Sequence, residues 1–283
     1  MTDRTGMTAF RTARIIGPGT EPERTRISEL FHENTKVRPV PGLEGKPEKP
    51  RNLEDLVASS HGAKTYGRSD RVLLPPPAPD RGEAWASTVR NRRTRRDFAD
   101  EPLGLDELSF VLAFSYGETG EAGIVGTRER MGLRAAPSAG GLYPIEIYVG
   151  VRSVEGLEKG FYHYDTQRHG LDVLKLGDRT RRMYDLCCFQ EEVLRAGVWL
   201  CLAAVFPRVT SKYGERGYRY ALFDAGHVGQ NVYLGASALG LGVMTSGGFF
   251  DDELNAEIGL DGVDESVLYL AFVGRLSPSP ASP

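Results

Sequence analysis

The longest periodic segment of the chain, residues 217–242, has the sequence GYRYALFDAGHVGQNVYLGASALGLG. Apolar side chains recur along it at helical spacing, and the opposite side carries residues that are small rather than charged. A helix that is apolar or small nearly all round is buried, and small residues let a second helix approach closely. The segment therefore predicts a central helix, which we expect near a subunit contact. The apolar positions are Ala221, Ala225, Val228, Val232, Ala236 and Leu239, and the small ones are Gly229, Gly235 and Ser237.

Strands and shorter helices are predicted around this helix. Residues 145–151 alternate apolar with other side chains, which predicts a strand with one buried face, and the continuous apolar run 197–206 is typical of a buried strand. Intermingled helices and strands, with a hairpin among them, predict a single α+β domain. Further strands are predicted at 160–165, 170–174 and 266–275, and helices at 26–33, 83–92, 106–116, 178–195 and from Asp251.

Composition divides the chain into three parts. Residues 1–84 are rich in Pro, Gly and Arg and poor in aliphatic side chains, so they cannot build a core alone. We expect them to form a partly disordered arm over the main domain, closing with a stiff proline-rich spacer at 75–79. Globular patterning covers 85–275, and the tail 276–283, LSPSPASP, is expected to be disordered.

Charge, cysteine content and hydropathy argue against several classes of protein. The formal net charge of −3 argues against a nucleic-acid binder. Three cysteines give no CxxC motif and no disulfide framework, which favours a reducing compartment. The N-terminus lacks the apolar stretch of a secretory signal, and the most apolar run, 196–206, is too short to cross a bilayer. We expect a cytoplasmic protein that binds neither nucleic acid nor membrane.

The histidines do not predict metal or hydrolytic chemistry. His163 and His169 flank a hairpin turn and share no metal-ligand spacing with the cysteines, so no metal site is expected. No G-x-S-x-G elbow is present, which gives no support to acyl transfer. His227, inside the central helix, is expected to be a hydrogen-bonded core histidine.

A cluster of arginines spans residues 90–98, RNRRTRRDF, with five arginines and Thr94 in nine positions. A guanidinium fork matches a phosphate bidentately, and a hydroxyl adds a further donor. The cluster therefore indicates a phosphate-binding stretch. A solvated basic face is the alternative for a charge run of this kind.

Two loops consist almost entirely of small residues. One lies within RAAPSAGGLYPIEIYVG, residues 134–150, and the other is TSGGFF, residues 245–250. Glycines let the backbone approach a flat ligand and present N–H groups to it, although a plain strand-entry loop would look the same. Neither loop has the GxxxxGK[ST] pattern of a nucleotide-binding loop.

Lys212 and Tyr213 stand just before Gly214, outside the long helix, in SKYGERGYRY. A free lysine or tyrosine titrates near pH 10, so neither is a good base at neutral pH unless its pKa falls. Burial and the guanidinium groups of Arg216 and Arg219 would both lower the pKa of a lysine. A solvated basic turn is the alternative interpretation.

Five segments, taken in order, resemble the nitroreductase-like flavoproteins, and within them the SagB-type dehydrogenases that oxidise azolines. The resemblance covers residues 85–275. It implies an α+β fold with a central, mainly antiparallel sheet flanked by helices, non-covalently bound FMN, and a homodimer with FMN at the interface. The arm segment LFHENTKVRP is similar to the N-terminal segment of the same branch. The five segments are RRTRRDF, APSAGGLYPIEIYV, SKYGERGYRYALFDAGHVGQN, ALGLGVMTSGGFFDDELNAEIGL and LYLAFVGR.

The resemblance also implies roles for individual residues. One set would hold the FMN phosphate and ribityl chain, one loop would line the isoalloxazine ring from across the dimer interface, and another would lie against its other side. Thr94 stands where a serine is commoner in the family, which keeps the hydroxyl. These sets are Arg92, Arg93, Thr94, Arg96 and Arg275; then Pro137, Ser138, Ala139, Gly140 and Gly141; then Ser246, Gly247 and Gly248; and the pair matching the catalytic residues is Lys212 and Tyr213.

The expected function is therefore the oxidation of a thiazoline or oxazoline ring to the thiazole or oxazole, on a ribosomal peptide or a carrier-bound chain. FMN would accept the hydride at its N5, and the Lys212–Tyr213 pair would take the proton. The alternatives are an NAD(P)H-dependent nitro or quinone reductase, a catalytically silent flavin-binding partner of a cyclodehydratase, and flavin-linked desaturation of a different small amide or amino-acid derivative.

Overall fold

Six strands build one antiparallel sheet in a computed structural model that describes residues 27–35, 83–123 and 130–277. The helices are α1 Ile27–Thr35, α2 Glu83–Asn91, α3 Leu105–Tyr116, α4 Thr180–Leu186, α5 Phe206–Tyr213, α6 Arg216–Ala238 and α7 Asp251–Ile258. The strands are β1 Glu118–Gly123, β2 Arg130–Arg134, β3 Ile145–Val151, β4 Gly160–Asp165, β5 Gly170–Leu176, β6 Val198–Val205, β7 Gly242–Ser246 and β8 Glu265–Gly274. The sheet has the order β5-β4-β3-β6-β8-β7, and β1 pairs with β2 as a separate hairpin.

Helices cover both faces of the sheet, so the core has two halves. One half packs β3 and β6 against α3, α5 and α6, and the other packs the opposite sheet face against α4 and α7. The prediction that β3 has a single buried face is therefore wrong. Tyr148 and Gly150, on its second face, are buried as well, because this strand lies between β4 and β6 in a sheet covered on both sides.

The predicted central helix is confirmed as α6. Its positions Ala221, Val228 and Ala236 are fully buried. Small residues allow close packing: a Cβ on Gly229 would lie 2.9 Å from the ring of Tyr269, and one on Gly235 would lie 3.8 Å from the Cα atom of Val111 in α3.

One stripe of α6 departs from the prediction that the helix is buried nearly all round. His227 is exposed rather than a core histidine, and Leu222 and Phe223 on the same side are also exposed. The reason is that α3 and the sheet pack on the other side of the helix, while no element within the described ranges covers this one.

The predicted helix at 178–195 is interrupted. Helix α4 ends at Leu186, Cys188 and Phe189 have φ values of +53° and +59°, and only a short 3₁₀ turn, Glu191–Leu194, follows. A left-handed conformation at two successive residues cannot continue a right-handed helix. Strand β7, the β1–β2 hairpin and helix α5 were not predicted.

Within the predicted arm, the structure describes α1 and the start of α2. Helix α1 confirms the helix predicted near residues 26–33. The proline-rich spacer at 75–79 and residues 278–283 of the predicted tail lie outside the described residues. None of the helices in the described ranges is long and apolar enough to cross a membrane.

An ion pair between β3 and β4 makes the stability of the sheet depend on pH. The Nε2 atom of His163 donates to Oε2 of Glu146 at 2.7 Å, and this hydrogen bond raises the pKa of His163 although burial opposes it. Burial works to raise the pKa of Glu146, but the hydrogen bond from His163 and the guanidinium of Arg208 outweigh it and hold that pKa below its ordinary value. The charged pair therefore stabilises the fold most at pH values between the ordinary pKa of a glutamate and that of a histidine.

Replacing His163 with glutamine, which keeps a donor but not the charge, should destabilise the protein more at pH 5.5 than at pH 8.5. The His163 contribution is present below its ordinary pKa and is lost as the pH rises through its raised folded-state pKa. Urea unfolding at both pH values should give a difference in the free energy of unfolding of about 1 kcal/mol at pH 5.5. An equal difference at pH 8.5 would contradict the assignment of the charge.

Candidate active site

The loop before β3 combines small residues with left-handed backbone. Pro137 is exposed after the buried Ala136, and residues 139–141 form a single 3₁₀ turn. Gly140 and Gly141 have φ values of +63° and +68°, which only glycine adopts without cost. Tyr143 follows with φ +45°, a conformation that a bulky residue keeps only where the surroundings impose it.

Asp224 of α6 holds this loop through a hydrogen bond with Ser138. The Ser138 hydroxyl donates to Oδ2 of Asp224 at 2.5 Å, and the Tyr143 N–H donates to the Ser138 oxygen at 2.9 Å. Asp224 is only 3% exposed, and burial raises the pKa of its carboxyl above the ordinary value, although the Ser138 hydroxyl, His227 and the Ala139 N–H oppose the shift. The Ser138 hydroxyl is thus used to hold the loop. Asp224 was not predicted, although an acid inside a helix of small and apolar residues is a signal for such a role.

Lys212 and Tyr213 lie directly against Gly140. A Cβ on Gly140 would be 2.5 Å from the Tyr213 hydroxyl oxygen and 2.8 Å from Nζ of Lys212. The Lys212 ammonium lies 5.4 Å from the centre of the Tyr213 ring, whose other neighbour is the ring of Tyr220 at 5.1 Å. Two segments that are about 70 residues apart in sequence therefore meet within one chain.

The pair occupies the last turn of α5, a helix separate from α6. Lys212 is exposed, so the predicted burial of this lysine is not found within the described residues. Its amine is open to a ligand. Gly214, with φ +56°, ends the helix and starts the turn into α6.

Arg208 fastens α5 to the small-residue loop. Its guanidinium donates to the carbonyl of Tyr143 at 3.2 Å and to the carboxylate of Glu146, the residue that also binds His163. The start of β3, which follows the loop, is therefore connected through Arg208 to α5, the helix that carries Lys212.

The predicted arginine stretch follows α2 without regular secondary structure and is exposed at Arg93, Thr94 and Arg96. The Arg95 N–H donates to the carbonyl of Val243 at 2.8 Å, which holds the stretch along β7. The Arg93 guanidinium contacts the carbonyls of Arg90 and Arg92, and Arg96 lies 3.7 Å from the carboxylate of Glu192.

Tyr233 of α6 joins the arginine stretch to the second small-residue loop. Its hydroxyl lies 3.0 Å from Oγ1 of Thr94 and accepts the Thr245 N–H at 3.2 Å, and the Arg92 guanidinium lies 5.0 Å from the centre of its ring. The structure thus brings together two of the sets that the family resemblance assigns to one cofactor.

Gln190 organises residues 246–248. Its side-chain NH₂ donates to Oγ of Ser246 at 2.9 Å and to the carbonyl of Gly248 at 2.7 Å, while the Gly248 N–H donates to the Ser246 hydroxyl at 3.0 Å. A Cβ on Gly247 would meet no heavy atom within 4 Å, so the backbone there is open to a ligand. Gln190, which follows the left-handed Cys188 and Phe189, was not predicted and has no distinctive signal in the sequence.

Arg275 is engaged elsewhere. Its guanidinium binds the carboxylate of Glu107 at 2.9 Å and the carbonyl of Pro102 at 3.1 Å, at the start of α3. Among the described residues, no hydrogen bond or ion pair joins it to the arginine stretch by its side chain. Within the described ranges, no hydrogen bond or ion pair joins the arginine stretch to the loop 137–141 either. The site residues of the chain therefore form two halves: a loop half at Ser138–Gly141 with Lys212 and Tyr213, and an arginine half at Arg92–Arg96 with Ser246–Gly248.

Replacing Asp224 with alanine should lower the free energy of unfolding by about 2 kcal/mol, because the Ser138 hydroxyl and the Ala139 N–H lose a buried acceptor. Urea unfolding measures this change. The Ser138→Ala variant and the double variant complete a mutant cycle, in which the two changes should cost less together than the sum of the single changes. Strict additivity would contradict the anchoring role of Asp224.

Comparison with known proteins places the chain in a family. The model of the nitroreductase family matches residues 89–275, more than half of the chain. The chain therefore belongs to the nitroreductase family, and the nitroreductase-like α+β fold predicted from its motifs is confirmed.

Curated relatives come from both reductase and peptide-processing proteins. MJ1384 of Methanocaldococcus jannaschii, which carries the name of a nitroreductase, is 40% identical over 65% of this chain and 87% of its own length. The trifolitoxin-processing protein TfxB of Rhizobium leguminosarum bv. trifolii is 29% identical over 61% of this chain, and the microcin B17-processing protein McbC of Escherichia coli is 29% identical over 51%. The chain spans about half the length of these last two relatives, 48% and 55%. They agree with the SagB-type branch that the motifs indicated.

Two solved structures show the same fold. A chain of the Escherichia coli microcin synthetase McbBCD complex with truncated pro-MccB17 bound has a TM-score of 0.67 and 22% identity, over 89% of this chain and 92% of that one. A protein from Anabaena variabilis, also named as a nitroreductase, has a TM-score of 0.59 and 33% identity, over 68% of this chain and 38% of that one.

Proposed function

We propose that this chain is an FMN-dependent dehydrogenase that oxidises thiazoline or oxazoline rings to thiazoles or oxazoles in a peptide natural-product intermediate. The observation that carries the proposal is the contact of Lys212 and Tyr213 with Gly140, which puts two proton-accepting side chains beside a small-residue loop. The substrate is a ribosomal peptide or a carrier-bound chain.

The donor groups of the site suit FMN. The exposed guanidinium groups of Arg93 and Arg96, with the hydroxyl of Thr94, match a phosphate. The backbone at Gly247 is open, and left-handed glycines at 140 and 141 keep side chains away from a flat ring. When bound, FMN supplies the acceptor for the hydride.

The protein residues would handle the proton. Conversion of an azoline to an azole removes one hydride and one proton, and the aromatic product makes the reaction favourable. Lys212 in its neutral amine form, or Tyr213 in its phenolate form, takes the proton from the ring carbon and becomes the ammonium or the phenol. The Asp224–Ser138 contact keeps the loop in place during this step.

A homodimer would complete the site, because the loop half of one protomer then faces the arginine half of the partner. The support for this is the uncovered apolar stripe of α6, in which Phe223 is 53% exposed, together with Phe114 of α3 at 60%. Large exposed apolar side chains of this kind are typical of a protein–protein contact.

The peptide-processing names of two relatives favour a modified peptide as substrate. The proposed reaction would also need a partner that makes the azoline, and a cyclodehydratase would supply it. An NAD(P)H-dependent nitro or quinone reductase is the second candidate, favoured by the name of the relative MJ1384. The Lys212–Tyr213 pair argues for the first candidate, because flavin reduction by NAD(P)H requires no base at that place.

Anaerobic mixing of the flavin-loaded protein with thiazoline- and oxazoline-containing peptides tests the proposal. Bleaching of the flavin absorbance together with a product two mass units lighter is the expected result. Bleaching only by NAD(P)H, with turnover of nitroaromatics, would assign the reductase activity instead. Peptide binding without any azole product would indicate a catalytically silent partner of a cyclodehydratase.

A further inference from the structure

We propose that helix α1 of the N-terminal arm positions the Lys212–Tyr213 pair, and that Ser28 and His32 are positioning residues for the reaction. The inference rests on the proposed function, since it assigns α1 a role toward that base. Helix α1 lies outside the residues that match the family model, which begin at 89.

His32 connects α1 to two separate elements. It is only 6% exposed, its Nδ1 atom lies 2.6 Å from the hydroxyl of Tyr218 in α6, and its Nε2 atom lies 3.2 Å from the carbonyl of Gly262 before β8. A carbonyl only accepts, so Nε2 carries the proton, and in the neutral ring Nδ1 accepts from Tyr218. A buried histidine with both nitrogens in use fixes the position of the helix that carries it.

Aromatic packing adds a second connection at the same place. The ring of Phe206, the first residue of α5, stacks on Tyr218 with centroids 4.7 Å apart, and His32 lies edge-on to Phe206 at 5.4 Å. The ring of Phe31 packs against Tyr218 in a T-shaped arrangement, with the centroids 5.7 Å apart. Helix α1 thus holds the beginning of α5 and the beginning of α6 together.

Ser28 makes the third connection, to Glu215 in the turn between α5 and α6. Its N–H and its hydroxyl both donate to Oε2 of Glu215, at 2.8 and 2.5 Å. Ser28 lies in the first turn of α1, where the helix dipole favours a carboxylate. Glu215 directly follows Gly214 and lies two residues after Tyr213.

These contacts enclose the proposed base on both sides along the chain. Phe206 precedes Lys212 and Tyr213, and Glu215 and Tyr218 follow them, so α1 bridges the segment that bears the pair. Arg208 holds the same helix from the side of the small-residue loop. Gly214, in a left-handed conformation, adds little stiffness to the turn. The position of the Lys212 amine relative to Gly140 therefore depends on α1, whose release would let the end of α5 move.

The test uses the full flavin-loaded protein with His32→Phe, which keeps an aromatic ring but removes both polar contacts, and with Ser28→Ala. Ile27→Ala is the matched control, because Ile27 is on the same helix and 74% exposed. Each variant is assayed for kcat, KM and the pH dependence of kcat, and for FMN affinity by fluorescence. In parallel, acetic anhydride modification of Lys212 is compared by mass spectrometry with that of Lys159 in the same chain, without substrate.

His32→Phe should lower kcat by about tenfold or more, since small misplacements of a catalytic group are costly. It should also shift the pH dependence of kcat and alter the ratio of Lys212 to Lys159 modification, with KM and FMN affinity within about twofold of the parent. Ile27→Ala should change none of these. If His32→Phe does not fold, Ser28→Ala, which removes one hydroxyl, decides the outcome by the same measures.

Two results separate this inference from the proposed function. An unchanged modification ratio and an unchanged pH dependence of kcat, in variants that fold, would overturn the positioning role. Absence of azoline oxidation by the parent protein, combined with a changed modification ratio in His32→Phe, would overturn the proposed function and leave the positioning of Lys212 by α1 supported.

Discussion

Lys212→Ala is expected to lower the rate of azoline oxidation by about 10²-fold or more, the usual contribution of a general base. The amine lies against Gly140 and is exposed to a ligand, but it takes no part in the core. The variant should therefore fold and bind flavin as the parent does. Single-turnover flavin bleaching with an azoline peptide measures the rate, and the visible flavin spectrum measures cofactor binding.

Two further variants make the result specific. Lys159→Ala removes a surface lysine of comparable type, paired with Asp178 at 2.7 Å, and should leave the rate unchanged. Tyr213→Phe keeps the ring that packs on Tyr220 and tests whether the hydroxyl shares the proton transfer. Full activity of Lys212→Ala would remove Lys212 from the mechanism, and Tyr213 would then be the base to examine.

Gly140→Ala, which adds a single methyl group, is expected to lower the oxidation rate more than any other glycine-to-alanine change in the site. A Cβ there would lie 2.5 Å from the Tyr213 hydroxyl and 2.8 Å from the Lys212 amine. Both atoms are at the ends of side chains that can move, so the methyl group should displace the pair rather than unfold the protein. The left-handed backbone adds a cost of about 1–2 kcal/mol to stability. We expect a loss of oxidation rate of about 10²-fold, measured as for Lys212→Ala.

Gly156→Ala separates the displacement of the Lys212–Tyr213 pair from the cost of a left-handed alanine. Gly156 has φ +71°, close to that of Gly140, and a Cβ there would meet nothing within 4 Å. Urea unfolding should show a similar loss of stability in both variants, while only Gly140→Ala loses activity. Equal activity of the two alanine variants would mean that the contact with Gly140 does not matter for the reaction.

Much of the fold was predictable because its signals are local. The periodicity of residues 217–242 predicted α6, and the apolar runs predicted β3, β6 and β8, since helix and strand spacing is a property of neighbouring residues. The predictions failed where distant elements decided the outcome. β3 is buried on both faces because helices cover both sides of the sheet, and His227 is exposed because nothing in the described part of the chain packs over that stripe of α6.

The site residues divide in the same way. The glycine loops, the arginine stretch and the Lys212–Tyr213 pair each stand out as short motifs, so they could be proposed from the sequence. Gln190 and His32 could not, and for Asp224 only its place in a helix of small and apolar residues was a signal, because each acts through contacts with residues far away in the chain.

The sequence by itself determined the family, the α+β class and the residue types of the candidate site, since these depend on motifs and on the spacing of apolar residues. Only the tertiary structure decided that Lys212 and Tyr213 meet Gly140, that Asp224 accepts from the Ser138 hydroxyl, and that α1 contacts the turn after Tyr213. The physical reason is that these contacts arise from the packing of α5 and α6 against the sheet and of α1 against both helices. Such packing depends on the whole core, and no short segment encodes it.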